Sequence, residues 1–240
     1  MKTRNRSYVH RIYMLLYLLV LAAFLVTPRP VIAQQQLSPG ALAIEYGTNM
    51  AGSQSVRYYV TPDNPMVKTL AESTGNVEAI YDMALNWVYV SEETLNGVSE
   101  KWLTPYQFLH DTPGYPSNPV AGQPVSDCEE QANTLASLLR AGGVPAEDVR
   151  VVLGRYTYKG QTHGHAWVQL VVNGKWLDLD PSSGPFWDDT IRMLIPRSGV
   201  PFDYYASHKF PVTRIDLYYN DKYVFKPGGS TADVPPSWLN

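Results

Sequence analysis

Asn173-Gly174 restricts this chain more than any other feature of its sequence. A two-residue type I′ turn needs positive φ at both central positions, which asparagine and glycine adopt at least cost, so the dipeptide joins two antiparallel strands. Gly164 to Val172 before it and Lys175 to Asp180 after it are rich in β-branched and aromatic residues. Facing residues then follow from the turn: Trp167 faces Asp180 and His165 faces Ser182. Side chains alternate between faces, so His165 shares a face with Trp167. Asp180 is then one diagonal step from His165, a distance side chains bridge. Asp178 faces Gln169, a step farther away. An imidazole and a carboxylate stand side by side.

The rest of the chain divides into helices first and sheet after. Asn64 before Pro65 opens a helix running to about Glu72. Val77, Ile80, Ala84 and Trp87 recur at helical spacing and predict a helix over Asn76 to Val90. Thr104-Pro105 opens a short helix carrying Tyr106, Phe108 and Leu109. Asp111 to Pro124 is loop, rich in proline and glycine. Ser126 to Ala141 is the most helix-like segment, with Ser126 as N-cap, Glu129 completing a capping box, and Gly142-Gly143 as the stop. Val149 to Tyr158 and Val212 to Tyr219 read as strands, the latter pairing with Lys222 to Phe225 across Asn220-Asp221. Val56 to Val60 is also strand-like. The expected class is α+β, with N-terminal helices packed on an antiparallel sheet.

Of the 240 residues, 45% are hydrophobic and 17% charged, a globular composition. The N-terminus departs from it. Lys2, Arg4, Arg6 and Arg11 precede an apolar run from Ile12 to Val26, and Val31-Ile32-Ala33 follows. That is the form of a secretory leader cleaved after Ala33. The run has 15 residues, where a membrane span takes roughly 20; contact with a membrane is expected only through residues 12–26, if the leader is retained. Residues 1–33 hold five basic groups and no acids, so their removal takes the formal charge from −3 to −8. A chain so acidic, without a basic cluster, argues against nucleic acid as partner. The expected destination is secreted or cell envelope.

One cysteine in an exported chain cannot form an internal disulfide, so Cys128 is either a small buried hydrophobe or a reactive thiol. It stands in the first turn of its helix, on a stripe with Ala132, Leu135 and Leu139. A helix start favours a thiolate, but Asp127, Glu129 and Glu130 oppose one, so a histidine partner is needed. His110 reads as a loop residue, His163 as a strand-end residue and His208 as a surface one. The hairpin selects His165.

Spacing alone does not dock Cys128 against that hairpin. The motifs Ser126-Asp127-Cys128-Glu129-Glu130-Gln131-Ala132, Leu138-Leu139-Arg140-Ala141-Gly142-Gly143-Val144-Pro145, His165-Ala166-Trp167-Val168 and Trp176-Leu177-Asp178-Leu179-Asp180-Pro181 resemble, in order and spacing, the transglutaminase-like superfamily. Ser126 stands where members often carry glycine. The resemblance implies a papain-like arrangement with Cys128 as nucleophile, His165 as base and then acid, and Asp180 orienting the imidazole. The chemistry it implies is acyl transfer at an amide of a protein or peptide. The Cys128 backbone N–H is the expected oxyanion donor, with Gln123 a second by analogy with papain. No cofactor is required, although the acidic residues around Cys128 resemble those of the calcium-dependent peptidases of the superfamily, whose third motif ends differently from Asp180-Pro181. The implied layout is a lead-in over 34–65, a transglutaminase-like domain over 66–226 and a flexible tail over 227–240. The functions to weigh are a cysteine peptidase or amidase, a protein-glutamine transglutaminase, and a binding domain without catalysis.

Overall fold

A computed structural model describes residues 54–239 apart from Lys159. The leader and most of the lead-in lie outside the described residues. No helix among those described is long and apolar enough to cross a membrane.

The chain enters through α1 (Gln54–Arg57) and continues into α2 (Pro65–Thr74) and α3 (Val77–Ala84). Asn64 and Asn76 cap the latter two, accepting from the Met66 and Ala79 backbone N–H groups respectively. Two expectations fail in this half. Val56 to Val60 is no strand: Tyr59 turns inward and meets Trp102 edge-on, with ring centroids 5.0 Å apart. β-rich composition decides nothing where tertiary packing offers no neighbouring strand. The helix expected to reach Val90 stops at Ala84 because Trp87-Val88-Tyr89 turns into strand β1 (Val88–Tyr89). After α4 (Glu92–Asn96), the Thr104-Pro105 segment forms a π-helical turn over Gln107–Asp111 that buries Phe108.

β2 (Val125–Ser126) runs straight into α5 (Cys128–Ala141). β1 pairs in parallel with β2 and also with β6 (Phe186–Asp188), and β7 (Met193–Ile195) completes this small sheet. α5 is buried on every side from Cys128 to Leu139, beyond the single stripe expected of it. It lies between α2 and α3 and the face of a second sheet that carries Ala166, Val168 and Leu170. That sheet has the order β5-β4-β3-β8-β9 and is antiparallel throughout. Its strands are β3 (Val149–Tyr158), β4 (Gln161–Val172), β5 (Lys175–Leu179), β8 (Val212–Tyr219) and β9 (Val224–Phe225). The class is α+β, as expected.

The hairpin register is the one the Asn-Gly turn dictates. Val168 pairs with Leu179 and Gln169 with Asp178, and Asn173 and Gly174 have φ of 52° and 76°. In the β3–β4 pairing, Gly154 lies opposite His165. A Cβ at Gly154 would fall 2.6 Å from the Arg214 carbonyl oxygen and 2.7 Å from the Trp167 ring, so only glycine fits under that indole. Part of the segment expected as a flexible tail packs on the domain. Trp238 is buried, its indole N–H donates to the Glu147 carbonyl, and its own carbonyl accepts from Arg150. The Arg150 guanidinium lies 3.9 Å from the centroid of Trp176 and 3.8 Å from that of Tyr218, cation–π contacts within the sheet, and reaches the Trp238 ring at 5.6 Å.

Candidate active site

Asp180 follows the last residue of β5 and His165 lies on β4, and the two are hydrogen-bonded, His165 Nε2 to Asp180 Oδ2 at 3.0 Å. The other carboxylate oxygen accepts from the Ser182 backbone N–H at 3.1 Å and from its hydroxyl at 2.8 Å. The Asp180 carbonyl is held by the Ser183 hydroxyl at 2.7 Å and by Tyr81, whose hydroxyl also donates to the Val200 carbonyl. Every oxygen of Asp180 is therefore spoken for. Tyr81, Ser182 and Ser183 were not read as site residues; only the Asp-Pro-Ser-Ser run, an Asx-type turn in the making, carried a signal for the two serines.

His165 is 6% exposed. Its ring stacks in line with Trp167 and Phe210, centroids 6.1 and 6.4 Å away, and meets Tyr156 edge-on. Burial disfavours the imidazolium, but the Asp180 charge and hydrogen bond, with Glu129 adding, outweigh it, so the His165 pKa is raised. With Nε2 committed to the carboxylate, Nδ1 is the nitrogen left to take a proton. It has no hydrogen bond to any described residue.

Cys128 is the first residue of α5 and is 2% exposed. β5 pairs with β4 only from Val168 onward, which leaves the edge of β4 open beside Ala166. The sulfur comes close enough to that edge for the Ala166 backbone amide to favour its thiolate. It is thus one residue along the strand from His165. The thiol donates to Glu129 Oε2 at 3.0 Å, not to the imidazole. Burial first, then the charges of Glu129 and Asp127, push the thiol pKa well up, with the Ala166 amide working the other way. The helix start does not overcome its acidic neighbours. Of the other histidines, His110 and His208 are exposed and bonded to chain neighbours, Asp111 and Ser207, and His163 lies two residues from His165 on β4 with its ring beside Tyr156.

The expected capping box does not form. Ser126 belongs to β2, paired with Tyr89, and Asp127 takes the N-cap position without a side-chain cap bond. The Ser126 hydroxyl instead donates to Glu130 Oε2 at 2.8 Å and to Glu92 Oε1 at 3.3 Å. Glu130 also accepts from the Leu103 backbone N–H at 2.8 Å. Carboxylate oxygens of Glu92, Asp127 and Glu130, all buried, lie within 4.8 Å of one another, and ligand atoms of Asp127, Cys128 and Glu129 are equally close. Burial is the main cause that raises the pKa of Asp127 well up, of Glu92 to about 8 and of Glu130 to about 7. Hard carboxylate oxygens converging this way fit a hard divalent cation such as calcium.

A thiol at the start of a buried helix, docked on the strand that carries a carboxylate-bound imidazole, is the layout of papain-like folds. The chain belongs to the transglutaminase-like superfamily, whose sequence model matches residues 63–181. Members of that superfamily are usually cysteine peptidases or transglutaminases. A search of curated protein sequences found no significant match. Among solved structures, calcium-bound LapG of Legionella pneumophila is similar at 17% identity and a TM-score of 0.45, over 72% of this chain and 83% of that one. The EGTA-treated form of LapG is similar at 17% identity and a TM-score of 0.46, over 72% of this chain and 81% of that one.

Proposed function

We propose that the protein is an exported cysteine peptidase or amidase, with Cys128 as nucleophile, His165 as general base and acid, and Asp180 as the group that orients the imidazole. The observation that carries this reading is the His165–Asp180 hydrogen bond one residue from the strand edge against which the Cys128 sulfur rests. His165 Nδ1 takes the thiol proton as sulfur attacks the amide carbonyl carbon. The same proton then passes to the departing amine, leaving a thioester on Cys128. Water, deprotonated by the imidazole, resolves the thioester and frees the enzyme. A transglutaminase would resolve it with an amine instead. Incubating the protein with a glutamine-rich protein, with and without a primary amine, separates the two: hydrolysis releases the acid in both arms, whereas transfer incorporates the amine. Export is part of the proposal, through cleavage of residues 1–33. N-terminal sequencing of protein recovered outside the cytoplasm should begin at Gln34; a first residue inside the leader would count against cleavage there.

A calcium ion held by Glu92, Asp127 and Glu130 belongs to the same reading. Bound there, the ion would supply positive charge that offsets the carboxylates holding the Cys128 thiol in its neutral form. The cluster makes the case on energetic grounds, because buried carboxylates need either protons or a cation. Glu92 and Glu130 have folded pKa values raised above the ordinary carboxylate value, so between about pH 4.5 and pH 8 the folded chain holds more protons than the unfolded one. Stability therefore falls as pH rises through that window. Thermal melting in a chelator should show Tm decreasing from pH 5 to pH 8. Calcium at about a hundred times its Kd adds roughly 2.7 kcal/mol, or on the order of 5–10 °C for a chain this long. That gain is expected at pH 8 and largely absent at pH 5. A calcium response equal at both pH values, or none at pH 8, would count against this site.

A further inference from the structure

The papain analogy nominates Gln123 as a second oxyanion donor, and the structure disposes of it. Gln123 is an exposed loop residue. Tyr89 has the better position. β1 and β2 run in parallel with Tyr89 opposite Ser126, and the Val90 N–H donates to the Ser126 carbonyl at 3.1 Å, which ties β1 to the residue two before the nucleophile. On its other side the Tyr89 N–H donates to the Pro185 carbonyl at 2.9 Å, just past the Asp180 turn. The ring lies in the same buried cluster as Cys128, with the side chain 2% exposed.

Its hydroxyl is conspicuous for what it does not do. Tyr81 and Tyr219, equally buried, donate to the Val200 carbonyl and to Asn133 Oδ1, at 2.9 and 2.6 Å. The Tyr89 hydroxyl donates to no described residue, and it is not among the fully enclosed polar atoms left without a partner, so its oxygen keeps some access from the site. Burial, then the charges of Asp127, Cys128 and Glu129, raise its pKa, which keeps the proton on the phenol at working pH and puts the group within electrostatic reach of the sulfur.

We propose that the Tyr89 hydroxyl donates, together with the Cys128 backbone N–H, to the oxyanion formed when Cys128 attacks an acyl carbonyl. The inference rests on the catalytic reading of Cys128, His165 and Asp180 and adds a catalytic residue to it. In the step concerned, a sulfur lone pair forms the new C–S bond and the C=O π pair moves onto oxygen. That oxyanion accepts one hydrogen bond from the amide and one from the phenol. On collapse the pair re-forms C=O, and the leaving group departs with the electrons of its bond to carbon. A donor aimed at charge that develops only in the transition state lowers the barrier without tightening ground-state binding.

The full chain and its Tyr89→Phe variant are each treated with p-nitrophenyl acetate and, separately, with iodoacetamide, and the modified Cys128 is followed by mass spectrometry. Acylation passes through an oxyanion; alkylation at an sp³ carbon does not. Phenylalanine keeps the ring, and the alkylation rate itself reports whether the site remains folded. Acetylation of Cys128 should slow by about 10²-fold, with alkylation within about twofold of wild type and its pH profile unmoved. Equal acetylation rates in the two proteins overturn the role of Tyr89 and leave the triad intact. Proportional losses in both reactions overturn it too, because they assign the hydroxyl to support of the thiol. Wild-type protein that is alkylated but never acetylated at Cys128 removes the catalytic reading itself.

Discussion

Cys128→Ala should leave a folded protein that cleaves nothing. The sulfur is buried and makes one side-chain hydrogen bond, to Glu129. Its loss removes little packing, and losing the thiol also removes a hydrogen-bond donor rather than a charge. The stability change should stay within about 1 kcal/mol, near the centre of ordinary substitution effects. Acyl transfer loses its nucleophile outright, and triad knockouts typically lower kcat by on the order of 10⁴-fold or more. Wild type and variant, compared on a panel of extracellular or envelope proteins with fragments read by mass spectrometry, would reveal both the effect and the substrate. Cleavage that survives the substitution unchanged would remove Cys128 from the chemistry.

Asp180→Asn should be nearly as severe, for a reason specific to this turn. The Ser182 backbone N–H and hydroxyl both point at Oδ1, and a backbone N–H can only donate. An asparagine at 180 must keep its oxygen there, which turns its NH₂ toward His165. Nε2 then has to accept, the ring proton moves to Nδ1, and the nitrogen meant to receive the thiol proton already carries one. Papain-like enzymes that work with asparagine present its oxygen to the imidazole, which the Ser182 donors forbid here. The expected loss in kcat is on the order of 10³-fold, comparable to wrong-tautomer variants of other triads, with KM little changed. Equal activity of wild type and variant would mean that Asp180 does no more than hold the loop.

How much of this could be read from the residues alone depends on the range of the interaction that decides each element. The β4–β5 register, and with it the His165–Asp180 pair, follows from a two-residue turn and the alternation of side chains, both local. The α5 segment was legible for the same reason, since Gly142-Gly143 and the apolar spacing are local signals. Its N-cap was not. Ser126 has the right chemistry to cap, but strand pairing with Tyr89 draws it away, and that pairing spans 37 residues. The small parallel sheet was missed entirely, because strands of two residues such as β1 and β2 carry no periodicity. Missing that sheet also hid Tyr89, and the long helix expected across Asn76–Val90 hid it twice over. The acid cluster was half visible. Asp127, Glu129 and Glu130 adjoin the cysteine in sequence, whereas Glu92 reaches them only through the fold.

The central claim is that Cys128 and His165 act as one unit, and the pH dependence of iodoacetamide alkylation at Cys128 tests it most directly when wild type is compared with His165→Ala. If the imidazole serves the thiol, wild-type alkylation follows the titration of His165 as well as that of sulfur. The variant should then lose the His165 inflection and react, near neutral pH, at least tenfold more slowly, retaining a single rise at high pH. Superimposable profiles for the two proteins would contradict the account.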